Sequence, residues 1–214
     1  MPIRTSWLAA PTITLDPVSV LREVDAARAQ GVEPRPALLG PVRFMKHSHG
    51  ALNRVLNIYA GLLTLLREEG VHGVQLHEPG LVHELDEAER EAYRDGFARL
   101  STLTSRPRVC LTTYGGPLRD NLALAARSGF EALHVDLVSA PEQLDDVLEA
   151  LPPRMALSLG LLDERDARVE DALPMLRRAT MRLGHERIAV APARPLTLDA
   201  TTHARLRRLA ELAD

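Results

Sequence analysis

The chain has 214 residues, 45% of them hydrophobic and 26% charged, with a formal net charge of −3 and a pI near 6.2. This is the size and balance of one globular domain, 1–214, with a substantial core, and it leaves no basic footprint for nucleic acid or an anionic membrane surface. No apolar run reaches the length of a membrane span, the N-terminus lacks a basic-then-apolar leader pattern, and the single cysteine, Cys110, excludes an intrachain disulfide and fits a cytoplasmic location.

Taken in order, Ser6 to Ala10 reads as a short strand. Asp16-Pro17 is a helix start, a capping carboxylate followed by the residue favoured at the first helical position. Val18, Leu21, Val24 and Ala27 recur at helical spacing up to Gly31. Pro36 to Pro41 is a second strand, and Arg43 to Gly50 reads as a polar loop. Leu52, Val55, Leu56, Tyr59, Leu62, Leu63 and Leu66 form one apolar stripe of a long helix that stops before Gly70. The run Gly73-Val74-Gln75-Leu76-His77-Glu78-Pro79 is a strand whose ladder ends at the proline, which has no N–H to donate.

A helix from about Glu84 to Leu100 follows, then a strand from Arg108 to Tyr114 with Gly115-Gly116-Pro117 as its turn. Leu118, Leu122 and Ala125 mark a helix ended by Gly129. Ala132 to Asp136 is a strand, and Pro141 opens a helix that Pro152-Pro153 stops. Met155 to Gly160 is a strand with a partner helix outlined by Val169, Leu173, Leu176 and Leu183. Ile188 to Pro192 is the last strand, and Leu206, Leu209 and Leu212 belong to a closing helix.

Seven strand–helix units in strict alternation imply a parallel sheet covered by helices. No G-x-G-x-x-G or G-x-x-x-x-G-K-[ST] loop marks a doubly wound nucleotide-binding sheet. The polar residues cluster instead at strand ends: Gly40, His77-Glu78, Thr113-Tyr114, Asp136, and Asp163 with Arg165. That is where a (β/α) barrel gathers its chemistry. The expected class is therefore α/β, a TIM-type barrel that is incomplete at about seven units. His77 and Glu78 are neighbours on a strand, so one faces the pocket and the other the helix layer. Asp136, Asp163 and Arg165 either line the mouth or form an ion-pair ring that fixes loops. His47-Ser48-His49 reads as a solvated loop, and Cys110 as a small core residue.

Five segments then carry a family resemblance: Leu38-Leu39-Gly40-Pro41-Val42, Val74 to Pro79, Leu111 to Gly115, Leu133 to Val138, and Leu157 to Asp163. In this order and spacing they resemble the N-terminal domain of cobalamin-independent methionine synthase, over about Trp7 to Pro195. The resemblance implies a barrel descended from a duplicated pair whose other copy is catalytic, and a link to methyl transfer from methyltetrahydrofolate to homocysteine. It also implies that Arg43 and Lys46 could receive a carboxylate such as the glutamyl tail of polyglutamyl methyltetrahydrofolate, although an exposed cation is the plainer reading of each.

The departures from the family pattern set further expectations. The family's opening strand, with its Arg-Glu-x-x-Lys segment, has no counterpart here, and Asp-Glu-Pro has become His77-Glu78-Pro79. The zinc ligands of the catalytic copy would fall near Leu111 to Gly115, at Asp136 and at about Arg194. Only Asp136 among these could bind a metal, so no metal and no other bound cofactor is expected. Three functions remain open: an accessory or ligand-binding relative acting with a separate zinc-bearing barrel; an independent metal-free enzyme using His77, Glu78, Asp136 and Tyr114 for acid–base work on a small anionic substrate; and an assembly module. Asp163, Arg165 and Arg194 join Arg43 and Lys46 as candidate ligand-binding residues. A barrel short of one strand leaves a gap between the Trp7–Ala10 and Ile188–Ala191 strands. The expected partner there is a second copy of the chain or a separate catalytic barrel, with neither nucleic acid nor membrane involved.

Overall fold

The computed structural model describes residues 16–48, 52–162 and 169–195. Asp16 caps helix α1 (Pro17–Ala29) by accepting from the N–H groups of Val18 and Ser19. Strand β1 (Ala37–Leu39) follows, then helices α2 (Pro41–Ser48) and α3 (Leu52–Glu68), and strand β2 (Gly73–His77). Helix α4 (Glu87–Ser101) starts in a reciprocal capping box between Asp86 and Glu89. Strand β3 (Arg108–Thr112), helix α5 (Leu122–Ala126), strand β4 (Ala132–Asp136) and helix α6 (Leu144–Ala150) come next. Strand β5 (Ala156–Leu162), helix α7 (Val169–Leu183) and strand β6 (Ile188–Pro192) complete the described strands and α-helices. None of these helices is long and apolar enough to cross a membrane.

The six strands form one sheet in the order β1-β2-β3-β4-β5-β6, every neighbouring pair parallel. A doubly wound sheet reverses its strand order at a switch point. This one never reverses, which is the winding of a (β/α) barrel. Among the described residues the sheet is open, with β1 and β6 as its edges. The expected seventh strand at Ser6 to Ala10 and the closing helix around Leu206 to Leu212 lie outside the described residues.

Alternation along the strands divides the sheet into two faces. Leu38, Leu76, Leu111, Leu133, Val135, Leu157 and Leu159 point outward, each fully buried. They join Leu56, Tyr59, Leu63 and Leu66 of α3 and Tyr93, Phe97 and Leu100 of α4 in one core. The opposite, concave face carries Gln75, His77, Cys110, Thr112, His134 and Ser158.

Two expectations need correcting. Arg43 to Gly50 reads as a polar loop in the sequence, but Pro41–Ser48 is helical. The helix has a cap supplied from far along the chain, as described below. Leu118 likewise does not open an α-helix: a short 3₁₀ turn, Arg119–Asn121, comes first and α5 begins at Leu122.

Candidate functional site

The carboxyl edge of β2 places its two polar residues on opposite sides, as strand geometry requires. Glu78 turns to the helix layer and is fully buried. Its Oε1 accepts from the Val42 N–H at 3.1 Å, and its Oε2 accepts from the Arg43 N–H at 3.2 Å and the Tyr93 hydroxyl at 3.2 Å. A carboxylate aimed at the first free amides of α2 is the capping arrangement that the helix dipole favours. Gly40 is what allows it, because a Cβ there would lie 2.1 Å from Glu78 Oε1. Burial pushes the Glu78 pKa up to about 8, against the pull of these donors and the nearby Arg43 charge.

His77 turns inward and is 3% exposed. Its Nε2 lies 3.1 Å from Gln75 Oε1, its ring meets Tyr114 edge-on at 5.6 Å, and its Nδ1 is buried without a partner. Desolvation, reinforced by His134, pushes its pKa down to about 3, so it is neutral at physiological pH. Burial raises the Tyr114 phenol, which Arg43 partly offsets.

Asp136, at the end of β4, accepts from the N–H groups of Gly115, Val138 and Ser139 and from the Ser139 hydroxyl, at 2.8 to 3.1 Å. Those donors tie the loops after β3 and β4 together. Arg194, just past β6, donates to the same Ser139 Oγ at 3.2 Å. The structure thus gathers His77, Tyr114, Arg43, Asp136 and Arg194 along one edge of the sheet while Glu78 faces away. Lys46 lies in α2 with its side chain outside the described set, and Asp163 and Arg165 are also outside it.

The sequence reading missed the row of inward residues in register with His77. His77 pairs with Thr112, Thr112 with His134, and His134 with Ser158 across four adjacent strands. His134 Nδ1 lies 2.9 Å from Ser158 Oγ and its Nε2 lies 3.3 Å from the Ala193 carbonyl. Burial pushes the His134 pKa down to about 4. Part of the signal was available: His134 sits two residues before Asp136, so the two share a face of β4.

A family model described as cobalamin-independent synthase, N-terminal domain, matches residues 6–181. The chain belongs to this family. It is 41% identical over 184 residues to a 5-methyltetrahydropteroyltriglutamate–homocysteine methyltransferase of Xylella fastidiosa (strain M23), covering 81% of this chain and 24% of that protein. Against the enzyme of the same name from Chelativorans sp. (strain BNC1), identity is 40% over 178 residues, covering 79% and 23%. The chain therefore spans about a quarter of the length of these relatives.

Among solved structures, a B12-independent methionine synthase from Shewanella sp. W3-18-1 in complex with selenomethionine superposes with a TM-score of 0.68 at 15% identity, covering 88% of this chain and 65% of that one. A methyltransferase from Methanosarcina mazei superposes with a TM-score of 0.63 at 16% identity, covering 99% and 69%. These likenesses establish the barrel fold that the strand order indicates.

A metal site needs a convergent donor set, and the described residues do not supply one. Both carboxylate oxygens of Asp136 are taken by loop donors. Among the described residues no three His, Cys, Asp or Glu side chains come together as a metal site.

Proposed function

We propose that this chain is a methionine-synthase-like barrel domain of the cytoplasm that binds ligand or assists, without a metal of its own, in methyl transfer from methyltetrahydrofolate to homocysteine. The thiolate chemistry then belongs to a separate zinc-bearing barrel. The observation that carries this reading is the composition of the carboxyl edge. Arg43 and Arg194 stand there as cations beside the neutral His77 and Tyr114, while Glu78 and Asp136 are engaged by backbone donors.

Such an edge can receive an anionic tail but has little with which to activate a thiol. A metal-free site leaves homocysteine largely in its protonated form at neutral pH. The same engagement of Glu78 and Asp136 weighs against an independent acid–base enzyme built on them. Polyglutamyl methyltetrahydrofolate is the ligand to test, and the partner is a catalytic barrel or a second copy covering the open edges of the sheet.

Binding of polyglutamyl methyltetrahydrofolate, followed by calorimetry, should weaken about tenfold in Arg43→Ala and in Arg194→Ala, the loss of one charge-assisted contact. The isolated chain should form no methionine. Binding that is absent, or methionine formation by the chain alone in a preparation free of host synthase, would overturn the proposal. Light scattering alone and with a catalytic barrel reports the partner.

A further inference from the structure

The interior of a (β/α) barrel is ordinarily filled by bulky branched side chains in layers. Here, Leu39 apart, the inward positions are small or polar: Ala37 on β1, Ala132 on β4, Ala156 and Ser158 on β5, and Ala189 and Ala191 on β6. A cavity of about 270 Å³ lies against the concave face, walled by Gln75, His77, Cys110, Thr112, His134 and Ser158 on the strands and by Val24 and Ala27 of α1. Ala37 and Ala191 also border it, and the exposed Arg35 and Arg194 stand at its rim.

The inner strand rows present both kinds of hydrogen-bonding group and no carboxylate; the carboxylates that border the cavity, the exposed Glu23 of α1 and the half-buried Glu33, stand outside those rows. Gln75 Oε1 is engaged by His77 Nε2, which leaves the Gln75 amide N–H donors for the cavity. Thr112 Oγ1 donates to the Cys110 carbonyl at 3.3 Å and keeps lone pairs to accept with. Ser158 Oγ keeps the same capacity, since His134 donates from Nε2 to Ala193 and so receives the Ser158 hydroxyl at Nδ1. Both imidazoles are held neutral by burial.

We propose that this concave face is a binding site, adjoining the carboxyl edge at His77 and Arg194 but reaching deeper between the strands, for a small uncharged molecule that both donates and accepts hydrogen bonds, of the carboxamide or azole class. Size follows from the volume, which lies just under the lower end of the usual range for small-molecule pockets. Neutrality follows from the inner rows alone, which hold no counter-charge for a buried ion, while Glu23, Glu33, Arg35 and Arg194 border the cavity from outside them. The donor and acceptor pattern follows from Gln75 on one side and the Thr112 and Ser158 oxygens on the other.

The test is a titration of the full chain with benzamide and with pyrazole, alongside benzoate and benzamidine as charged shape-mates, read at the His77 and His134 ring resonances by NMR. Benzamide or pyrazole should shift both rings saturably and bind at least about tenfold tighter than the charged pair. Gln75→Leu should weaken binding about tenfold by removing the amide donors. Ala37→Leu, which grows a side chain into the cavity without touching the outer core, should abolish it. Thermal unfolding of both variants should stay close to the parent. No saturable shift with either neutral probe up to ~10 mM would mean that the cavity holds water only, and would overturn the proposal. Equal binding of benzoate or benzamidine, or binding that survives Ala37→Leu, would overturn it as well.

Discussion

On β4, Leu133 and Val135 pack under the helices with no exposed surface, while His134 and Asp136, their alternate neighbours, face the other way with hydrogen-bond partners. The same contrast runs across the sheet. The outer face is apolar and interlocked with α3 and α4, so its energy is that of close packing. The inner face is polar and small, so each contact there is a hydrogen bond with a modest net value. The lesson is that one set of strands can separate apolar packing from polar hydrogen bonding by residue parity alone.

The largest test of this division is Leu133→Ala, which opens a void in the outer core and should cost about 2–5 kcal/mol in urea unfolding. An effect under about 1 kcal/mol would show that the outer face is not the main source of stability.

Acid comes next. His77 and His134 fold with pKa values depressed to about 3 and about 4 from 6.5, so the unfolded state binds more protons between those values. Stability from these groups is present above pH 6.5 and is lost as pH falls toward the folded values. The combined loss should be on the order of a few kcal/mol. The double change His77→Asn with His134→Asn should flatten that acid limb, measured as unfolding free energy against pH.

Glu78 is a buried acid on the helix side, and its sign is opposite. Its folded pKa is raised to about 8 from 4.5, so the stability linked to its proton is full below pH 4.5 and is lost as pH rises through about 8. Glu78→Gln should remove that alkaline decline. Glu78→Ala should cost about 1–3 kcal/mol, because the Val42 and Arg43 amides and the Tyr93 hydroxyl lose their acceptor. Ser158→Ala on the inner face is the smallest change, about 1 kcal/mol, with the His134 ring resonances moving as Nδ1 loses its donor.

Much of this division was legible in the sequence. The parallel sheet followed from alternation of apolar strands and periodic helices, and the opposed directions of His77 and Glu78 followed from their adjacency. The helix at Pro41–Ser48 was not legible, because its capping carboxylate, Glu78, lies 36 residues from Val42. Local signals at Gly40-Pro41 offer no side-chain cap. The roles of Gln75, Thr112, His134 and Ser158 were hidden for a related reason. Each looks like a polar interruption within its own strand, and only lateral register joins them into a row. Asp136 was read as lining the mouth or as part of an ion-pair ring that fixes loops, and the donors it meets here, the Gly115, Val138 and Ser139 N–H groups, are neutral and tie two loops together.

The grip of Glu78 on α2 also bears on the order of events in folding. An eight-residue helix is too short to persist alone in water, and this one begins at a glycine–proline pair with no cap of its own. Its first turn therefore cannot be secured until β2 has docked beside β1 and delivered the carboxylate. The segment should behave as a late-forming unit whose opening is tied to the β1–β2 pairing rather than to its neighbour α3. Native-state hydrogen exchange would show this as Val42 and Arg43 amides exchanging at the same free energy as those of β2, and Glu78→Gln would lower the protection of these two amides while leaving α3 unchanged.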